Sequence, residues 1–272
     1  MTYFTDKVAV VTGAGSGIGR ALAAELAARG TRVAISDVDA EGLAATERLL
    51  VDRGARPHAA LLDVSERPRV VEYAREVIDH FGVVHQIYNN AGIAFTGDIE
   101  AMDVTHLERV MDVDYWGVVH GTQVFLPHLI ASGDGHVVNV SSVFGIIAVP
   151  SQGAYNAAKF AVRGFTEALR MEMQARGRPV KVTCVHPGGI RTNVARNARQ
   201  VEGLDHDALV SSFDRVARTS PERAADVILA GVAKNRARVL IGADARAIDL
   251  LARVTGPHYQ RIVARLAGRS GL

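Results

Sequence analysis

The sequence predicts an α/β protein built on a doubly wound, seven-stranded parallel sheet with helices on both faces. Short apolar runs alternate with longer helix-patterned segments along the chain, which is typical of sheets joined by helical crossovers. The apolar runs are continuous rather than alternating, as expected for strands that are buried on both faces. Glycine or polar residues follow most of these runs, and open parallel sheets bind ligands at that edge.

Seven strands and their intervening helices follow from this pattern. The predicted strands are residues 7–12, 31–37, 56–64, 84–90, 136–142, 180–187 and 238–242. The predicted helices are residues 17–29, 40–53, 66–81, 104–131 and 154–175, and one beginning at Thr219–Glu222, where Glu222 has capping-box spacing from Thr219. In the long helix 104–131, Gly117 and Gly121 would permit close packing.

Length and composition favour one domain over residues 1–272, with 191–219 as a substrate lid and 243–272 as a helical tail that packs on the body or a partner subunit. A charge of +2 gives no reason to expect a nucleic-acid partner. The lone Cys184 predicts a buried thiol in a reducing compartment, and no spacing suggests a metal site. The chain begins without a signal-peptide pattern and contains no long apolar span, so we expect a cytoplasmic protein with membrane contact unlikely.

A glycine-rich turn follows the first strand, with Gly13, Gly17 and Gly19 spaced G-x-x-x-G-x-G. Glycine lets the backbone turn tightly and approach a pyrophosphate, while the N-terminus of the next helix offers free N–H groups to its charge. From this motif alone, an ordinary glycine-rich turn that binds no ligand remains an alternative interpretation.

Asp37 ends the second strand, where a carboxylate can accept hydrogen bonds from an adenosine ribose and would repel a 2′-phosphate. No basic side chain is placed to receive that phosphate, which favours NAD over NADP. A helix N-cap is the alternative role, although Asp39 serves it equally well. Asp63 and the turn at Asn90 should lie at the same edge of the sheet.

Tyr155 and Lys159 are four residues apart on a predicted helix, so their side chains share one face. One charge roughly 4–5 Å away at an effective dielectric of about 20 could lower the pKa of a phenol by about two units, making it a usable acid/base. Alternation along the strand before it sends Ser141 and Ser142 to opposite faces, and we expect Ser142 to face the pair. Taken alone, a tyrosine and a lysine at this helical spacing are more often a surface contact.

Together these motifs resemble the short-chain dehydrogenase/reductase family over about residues 5–242. The matches are TGAGSGIG at 12–19, Asp37, DV at 63–64, NNAG at 89–92, the serine pair with YNAAK at 155–159, and PGGIRT at 187–192. The resemblance implies a Rossmann-type fold, Tyr155 as the catalytic acid/base, Ser142 as the carbonyl-polarising hydroxyl, and Lys159 as a ligand of the nicotinamide ribose. The implied NAD contacts are Gly13, Ser16, Gly17, Ile18, Gly19, Asp37, Asp63, Val64, Asn90, Ala91, Gly92, Tyr155, Lys159, Pro187, Gly188, Ile190 and Thr192.

One residue departs from the family pattern. Asp114 occupies a place in the long helix where the family usually has an asparagine that helps to hold a water in a proton relay. The charge of Asp114 should stabilise the proton of Lys159 and partly offset the effect of Lys159 on Tyr155. The tail beyond residue 242 is a second departure from many relatives.

The sequence therefore predicts an NAD-dependent enzyme that transfers a hydride between the cofactor and a secondary alcohol or ketone. The apolar loop FGIIAVP at 144–150 suggests a hydrophobic substrate such as a steroid, a terpenoid or a long-chain alcohol. Alternatives are a small-diketone or acetoin-type reductase, a non-catalytic NAD-binding redox sensor, and an extended epimerase or dehydratase, for which the chain is too short. By family analogy, we expect a homodimer or homotetramer through the 104–131 and 154–175 helices.

Overall fold

A computed structural model describes residues 3–192, 199–201, 211 and 217–270. Its main sheet has seven strands, all parallel, in the spatial order β3-β2-β1-β4-β6-β7-β9. The predicted doubly wound sheet is confirmed. The strands are β1 Val8–Thr12, β2 Arg32–Asp37, β3 His58–Leu61, β4 Gln86–Asn89, β5 Phe95–Thr96, β6 Gly135–Val140, β7 Val180–Pro187, β8 Arg199–Gln200 and β9 Arg238–Ile241.

Helices cover both faces of the sheet. They are α1 Gly17–Ala28, α2 Ala40–Asp52, α3 Arg67–Phe81, α4 Val104–Met111, α5 Gly117–Ala131, α6 Gly153–Ala175, α7 Pro221–Ala233, α8 Ala243–Thr255 and α9 Tyr259–Ser270. Helix α7 begins after Ser220, whose side chain accepts the N–H of Arg223. The cap is therefore Ser220 of the predicted Thr/Ser pair, and Pro221 lies in the first turn as expected, whereas the capping-box spacing from Thr219 is not used.

The buried core divides into two layers. Leu22 and Leu26 of α1 pack with Ile228 and Leu229 of α7 on one face of the sheet. On the other face, α3, α5 and α6 bury residues that include Tyr73, Phe125 and Leu169. The central strands β1, β4 and β6 between the layers are therefore buried on both faces, which is why their sequences lack alternation.

The long helix predicted over 104–131 is interrupted. A π-helical turn, Asp112–Trp116, separates α4 from α5. A π-helical turn holds about one residue more than an α-helical turn, so the side chains are rotated about the helix axis. Val113 and Asp114 of this turn are buried in the interior. The predicted close packing after the turn is confirmed, because a Cβ on Gly121 would overlap Asn89 and one on Gly117 would overlap Val64.

Two features lie outside the main sheet. Strands β5 and β8 form a small parallel pair that the sequence did not predict. Most of the predicted lid, residues 191–219, lies outside the described residues. The predicted helical tail is present as α8 and α9, joined by the short 3-10 turn Gly256–His258. None of the described helices combines the length and the apolarity needed to span a membrane.

Candidate active site

The glycine turn between β1 and α1 is tight and leaves little room for side chains. Gly13 and Gly17 have positive φ angles of 65° and 51°, which side chains rarely adopt, and a Cβ on Gly19 would overlap the carbonyl of Gly13. Ser16 precedes α1 without a side-chain cap on the helix. The first N–H groups of α1 therefore remain available to an anion such as a pyrophosphate.

Thr12 and Asn90 fix this turn to β4. The Asn90 amide donates to the carbonyls of Thr12 and Gly13 at 3.0 and 3.2 Å, and the backbone N–H groups of Asn90 and Ala91 both donate to Thr12 Oγ1 at 3.1 Å. The side chain of Asn90 thus holds two strand ends in register. Sequence reasoning missed Thr12, although its position immediately before the first glycine was a visible signal.

Asp37 lies against the glycine turn. Its Oδ2 accepts the N–H of Gly15 at 2.7 Å and its Oδ1 accepts that of Asp39 at 3.0 Å, while Asp39 itself caps α2. Asp37 is therefore not the helix cap. The Arg20 guanidinium also lies beside Gly15, but it donates to the carbonyls of Gly15 and Gly42, and its Nε donates to Thr46.

Asp63 and Val64 follow β3 and have partners within the protein. Asp63 Oδ1 accepts hydrogen bonds from Ser65, and its Oδ2 accepts one from Arg109 at 2.8 Å. Val64 packs against Gly117. The structure places Asp63 at the predicted edge of the sheet, and Arg109 is a neighbour of that edge which the sequence gave no reason to single out.

Tyr155, Lys159 and Ser142 come together at the carboxyl end of β6. The Nζ of Lys159 lies 5.4 Å from the centroid of the Tyr155 ring. Ser142 follows β6 in an extended conformation, its Oγ accepts the N–H of Phe144 at 3.1 Å, and its hydroxyl lies near enough to the phenol to lower the phenol's pKa. Ser141 points the other way and donates to the carbonyl of Lys159 at 2.8 Å.

His186 supports Ser142 from β7. Its Nδ1 lies 2.9 Å from the carbonyl oxygen of Ser142, and burial lowers the pKa of this histidine to about 4. A neutral imidazole with its proton on Nδ1 donates that hydrogen bond at neutral pH. The His186 side chain thus fixes the backbone of Ser142.

Asp114 forms a buried ion pair with Lys159. Its Oδ2 lies 2.9 Å from Lys159 Nζ, with the two side chains 0% and 3% exposed. Its Oδ1 accepts the N–H of Ile93 at 2.7 Å, and Lys159 also donates to the carbonyl of Val140 at 3.2 Å. A Cβ on Gly92 would lie only 3.2 Å from Asp114 Oδ2 and 3.3 Å from Lys159 Nζ. Glycine at position 92 therefore leaves room for the pair.

The pKa values of this cluster follow from burial and charge. Burial raises the pKa of Tyr155 above its ordinary value; Lys159 lowers it, and Asp114 raises it further. The net direction is upward, so the predicted lowering of the Tyr155 pKa is wrong, although the opposing effects of Lys159 and Asp114 are as predicted. Burial acts to lower the pKa of Lys159, but the Asp114 carboxylate outweighs it and the pKa is raised. Burial raises the pKa of Asp114 against the effect of Lys159.

The turn after β7 also lies at the carboxyl edge of the main sheet. Pro187 is the last residue of β7, and Gly188 leaves room for Asp244, because a Cβ there would overlap its carboxylate. Ile190 is buried and pairs with Thr219 in an isolated bridge. The methyl group of Thr192 lies over Gly17, where a Cβ would come within 3.0 Å of it. This turn therefore meets the glycine turn.

The apolar loop after Ser142 differs from the expectation in one respect. Ile146 and Ile147 are buried in a cluster with Tyr259 of the tail, and they are not exposed beside Tyr155. Phe144 is the apolar side chain that meets Tyr155, edge to face, with the ring centroids 6.2 Å apart. The support that this loop gives to a hydrophobic substrate is therefore reduced to Phe144.

Comparisons with known proteins agree with this architecture. The family model for short chain dehydrogenases matches residues 7–203. A putative oxidoreductase, SadH, of Mycobacterium tuberculosis is 59% identical over 265 residues, covering 97% of this chain and 96% of the relative. Dehydrogenase/reductase SDR family member 7B of Xenopus tropicalis is 34% identical over 245 residues, covering 88% of this chain and 78% of the relative.

Solved structures show the same fold. A short-chain dehydrogenase/reductase from Burkholderia phymatum in complex with NAD has a TM-score of 0.87 at 30% identity and covers 94% of this chain and 95% of its own. Levodione reductase has a TM-score of 0.80 at 29% identity, covering 90% of this chain and 99% of its own. The chain belongs to the short-chain dehydrogenase/reductase family. It is thus an oxidoreductase by family, and a nicotinamide cofactor is supported.

Proposed function

We propose that this protein transfers a hydride reversibly between NAD(H) and a secondary alcohol or ketone. The observation that carries the proposal is the convergence of Ser142, Tyr155 and Lys159 at the carboxyl edge of the sheet. Thr192 links this edge to the glycine turn. A nucleotide bound on the turn would therefore reach the cluster.

The residues present fit a dinucleotide. The glycine turn has no room for side chains at Gly13, Gly17 or Gly19, and Ser16 leaves the start of α1 uncapped. These are the features that a pyrophosphate needs. When bound, the nicotinamide supplies the hydride donor and acceptor, and the protein supplies orientation and polarisation.

Each catalytic side chain has a distinct task in this proposal. The Ser142 hydroxyl holds the substrate oxygen, and Tyr155 exchanges a proton with it. A phenol whose pKa is raised keeps its proton at neutral pH, so Tyr155 is ready to donate to a ketone oxygen. Lys159, kept charged by Asp114, stabilises the phenolate that donation leaves behind.

We propose NAD rather than NADP as the cofactor. Asp37 presents a carboxylate at the end of β2, and the Nε and Nη2 atoms of Arg20 donate to Thr46 and to the carbonyls of Gly15 and Gly42. A ribose 2′-phosphate there would meet the negative charge of Asp37. The Burkholderia phymatum neighbour, solved with NAD, supports the same choice.

The substrate is proposed to be hydrophobic on the strength of Phe144 beside Tyr155. A small diketone is the second candidate, favoured by the structural similarity to levodione reductase. Exposed aromatic side chains of the π turn and of α6, Trp116 at 46% and Phe160 at 40%, are consistent with the homodimer or homotetramer expected through these helices.

Steady-state kinetics with purified protein test the proposal. We expect NADH formation from NAD with menthol, a hydrophobic secondary alcohol, and a loss of about 100- to 10,000-fold in kcat for Tyr155→Phe with little change in NADH binding. NADH binding with no turnover of menthol, isopropanol or a diketone would favour the redox-sensing alternative instead.

A further inference from the structure

The tail contacts the loop that follows Ser142. The hydroxyl of Tyr259, at the start of α9, accepts the backbone N–H of Ala148 at 2.9 Å. Tyr259 is only 9% exposed and packs in one cluster with Ile146 and Ile147. The Tyr259 hydroxyl thereby fixes the position of the Ala148 amide, although Ala148 itself is exposed.

The contacted loop leads directly into the candidate active site. Its first residues are Ser142 and Phe144, and Phe144 meets the ring of Tyr155. Its far end is held by Asn156 on α6, whose amide donates to the carbonyl of Val149 at 2.9 Å. Tyr259 therefore holds the loop at Ala148, between Ser142 at the end of β6 and Val149, which Asn156 of α6 holds.

The tail touches the opposite side of the site as well. Asp244, at the start of α8, accepts the N–H of Gly189 at 2.7 Å in the turn after β7. Helix α8 is anchored by the buried Asp249, which pairs with Arg238 of β9 at 2.9 Å and with Arg253 at 2.8 Å. One segment thus bonds to a backbone amide of the loop after Ser142 and to one of the turn after β7.

We propose that the tail, residues 243–270, is a positioning element that shapes the substrate side of the site through the Tyr259 hydroxyl, and that it sets the acceptance of bulky alcohols. This inference rests on the proposed function and adds to it a residue that determines specificity. Tyr259 positions the loop and touches neither the cofactor nor the reacting atoms.

Hydrogen exchange tests the structural half without any turnover. Tyr259→Phe removes the hydroxyl and keeps the ring, while Thr255→Val is the matched control, since the Thr255 hydroxyl bonds only within α8 to the carbonyl of Leu251. We expect the Ala148 amide to exchange about fivefold faster in Tyr259→Phe and at the wild-type rate in Thr255→Val. Unchanged exchange in Tyr259→Phe would overturn the inference.

Kinetics with a bulky and a small alcohol test the functional half. In Tyr259→Phe we expect the KM for menthol to change about fivefold. Both kcat and KM for isopropanol, and the Kd of NADH, should stay close to their wild-type values. Equal effects on both alcohols, or none, would overturn the role in specificity. A wild-type protein that turns over neither these alcohols nor a diketone would overturn the proposed function and this inference with it. A wild type active only on the diketone, or one that oxidises menthol while the variant keeps an unchanged KM for menthol, would overturn the inference alone.

Discussion

Replacing Asp114 by asparagine isolates the effect of the buried carboxylate on the acid/base group. An asparagine has the same shape, and its amide oxygen can still accept the N–H of Ile93. What disappears is the negative charge 2.9 Å from Lys159 Nζ. Because Asp114 raises the pKa of both Lys159 and Tyr155, both pKa values should fall in the variant.

The size of the shift can be worked from two distances. Lys159 Nζ lies 2.9 Å from Asp114 Oδ2 and 5.4 Å from the Tyr155 ring centroid, so Oδ2 lies within about 8 Å of the ring. At an effective dielectric of about 20, a unit charge at about 8 Å is worth about 2 kcal/mol, or about 1.5 pKa units. We expect the apparent pKa of Tyr155 to fall by about that amount.

The assay is the pH dependence of kcat/KM for alcohol oxidation, which rises as Tyr155 loses its proton. In Asp114→Asn the rising limb should move about 1.5 pH units toward acid. Asp112→Asn, at an exposed position of the same π turn, is the control and should leave the limb in place. An unchanged limb in Asp114→Asn, or one moved toward alkaline pH, would refute the reasoning.

Three further predictions follow from other parts of the molecule. Asp37→Ala should shrink the preference for NADH over NADPH about tenfold in binding titrations, and tighter NADPH binding by the wild type would contradict this account. Burial lowers the pKa of His136 from 6.5 to about 3, so the unfolded state binds the extra proton between these values. His136 alone should therefore contribute a loss of about 1.4 kcal/mol in the free energy of unfolding per pH unit on acidification from pH 6.5 toward 3. In His136→Gln, the free energy of unfolding from denaturant titrations should fall less steeply as the pH is lowered. Gly121→Ala should destabilise the fold by about 1–3 kcal/mol because its Cβ would overlap Asn89. Gly164→Ala, in open space on α6, should stabilise it by about 0.5–1 kcal/mol in the same assay, and equal effects would count against the overlap.

The layout of the fold could be predicted because local patterns specify it. Apolar runs buried on both sides and glycine turns are determined by adjacent residues, and β1 with α1 illustrates both. The pairing of β5 with β8 could not be predicted, since it joins two-residue strands about 100 positions apart. The π turn at Asp112–Trp116 was also invisible, because one added residue per turn leaves no mark on helical periodicity over so short a stretch.

Tyr155, Lys159 and Ser142 lie together as their spacing predicts, but the direction of the Tyr155 pKa shift does not follow from the sequence. The spacing of Tyr155 and Lys159 on one helix is enough to place them side by side. The pKa of Tyr155 depends on how much of the phenol is buried and on Asp114, which a π turn brings to Lys159. The role of Ile146 and Ile147 was misjudged for a related reason, since their apolar partners lie in the tail, more than 100 residues along the chain.

Isotope transfer tests the central claim most directly. Menthol carrying deuterium at its carbinol carbon is incubated with NAD and the protein, and the NADH formed is examined by NMR. We predict deuterium at C4 of the nicotinamide with the wild type, and label transfer about 100- to 10,000-fold slower with Tyr155→Phe. NADH that forms without the label, or label transfer at the wild-type rate after the loss of the tyrosine hydroxyl, would contradict the proposed function.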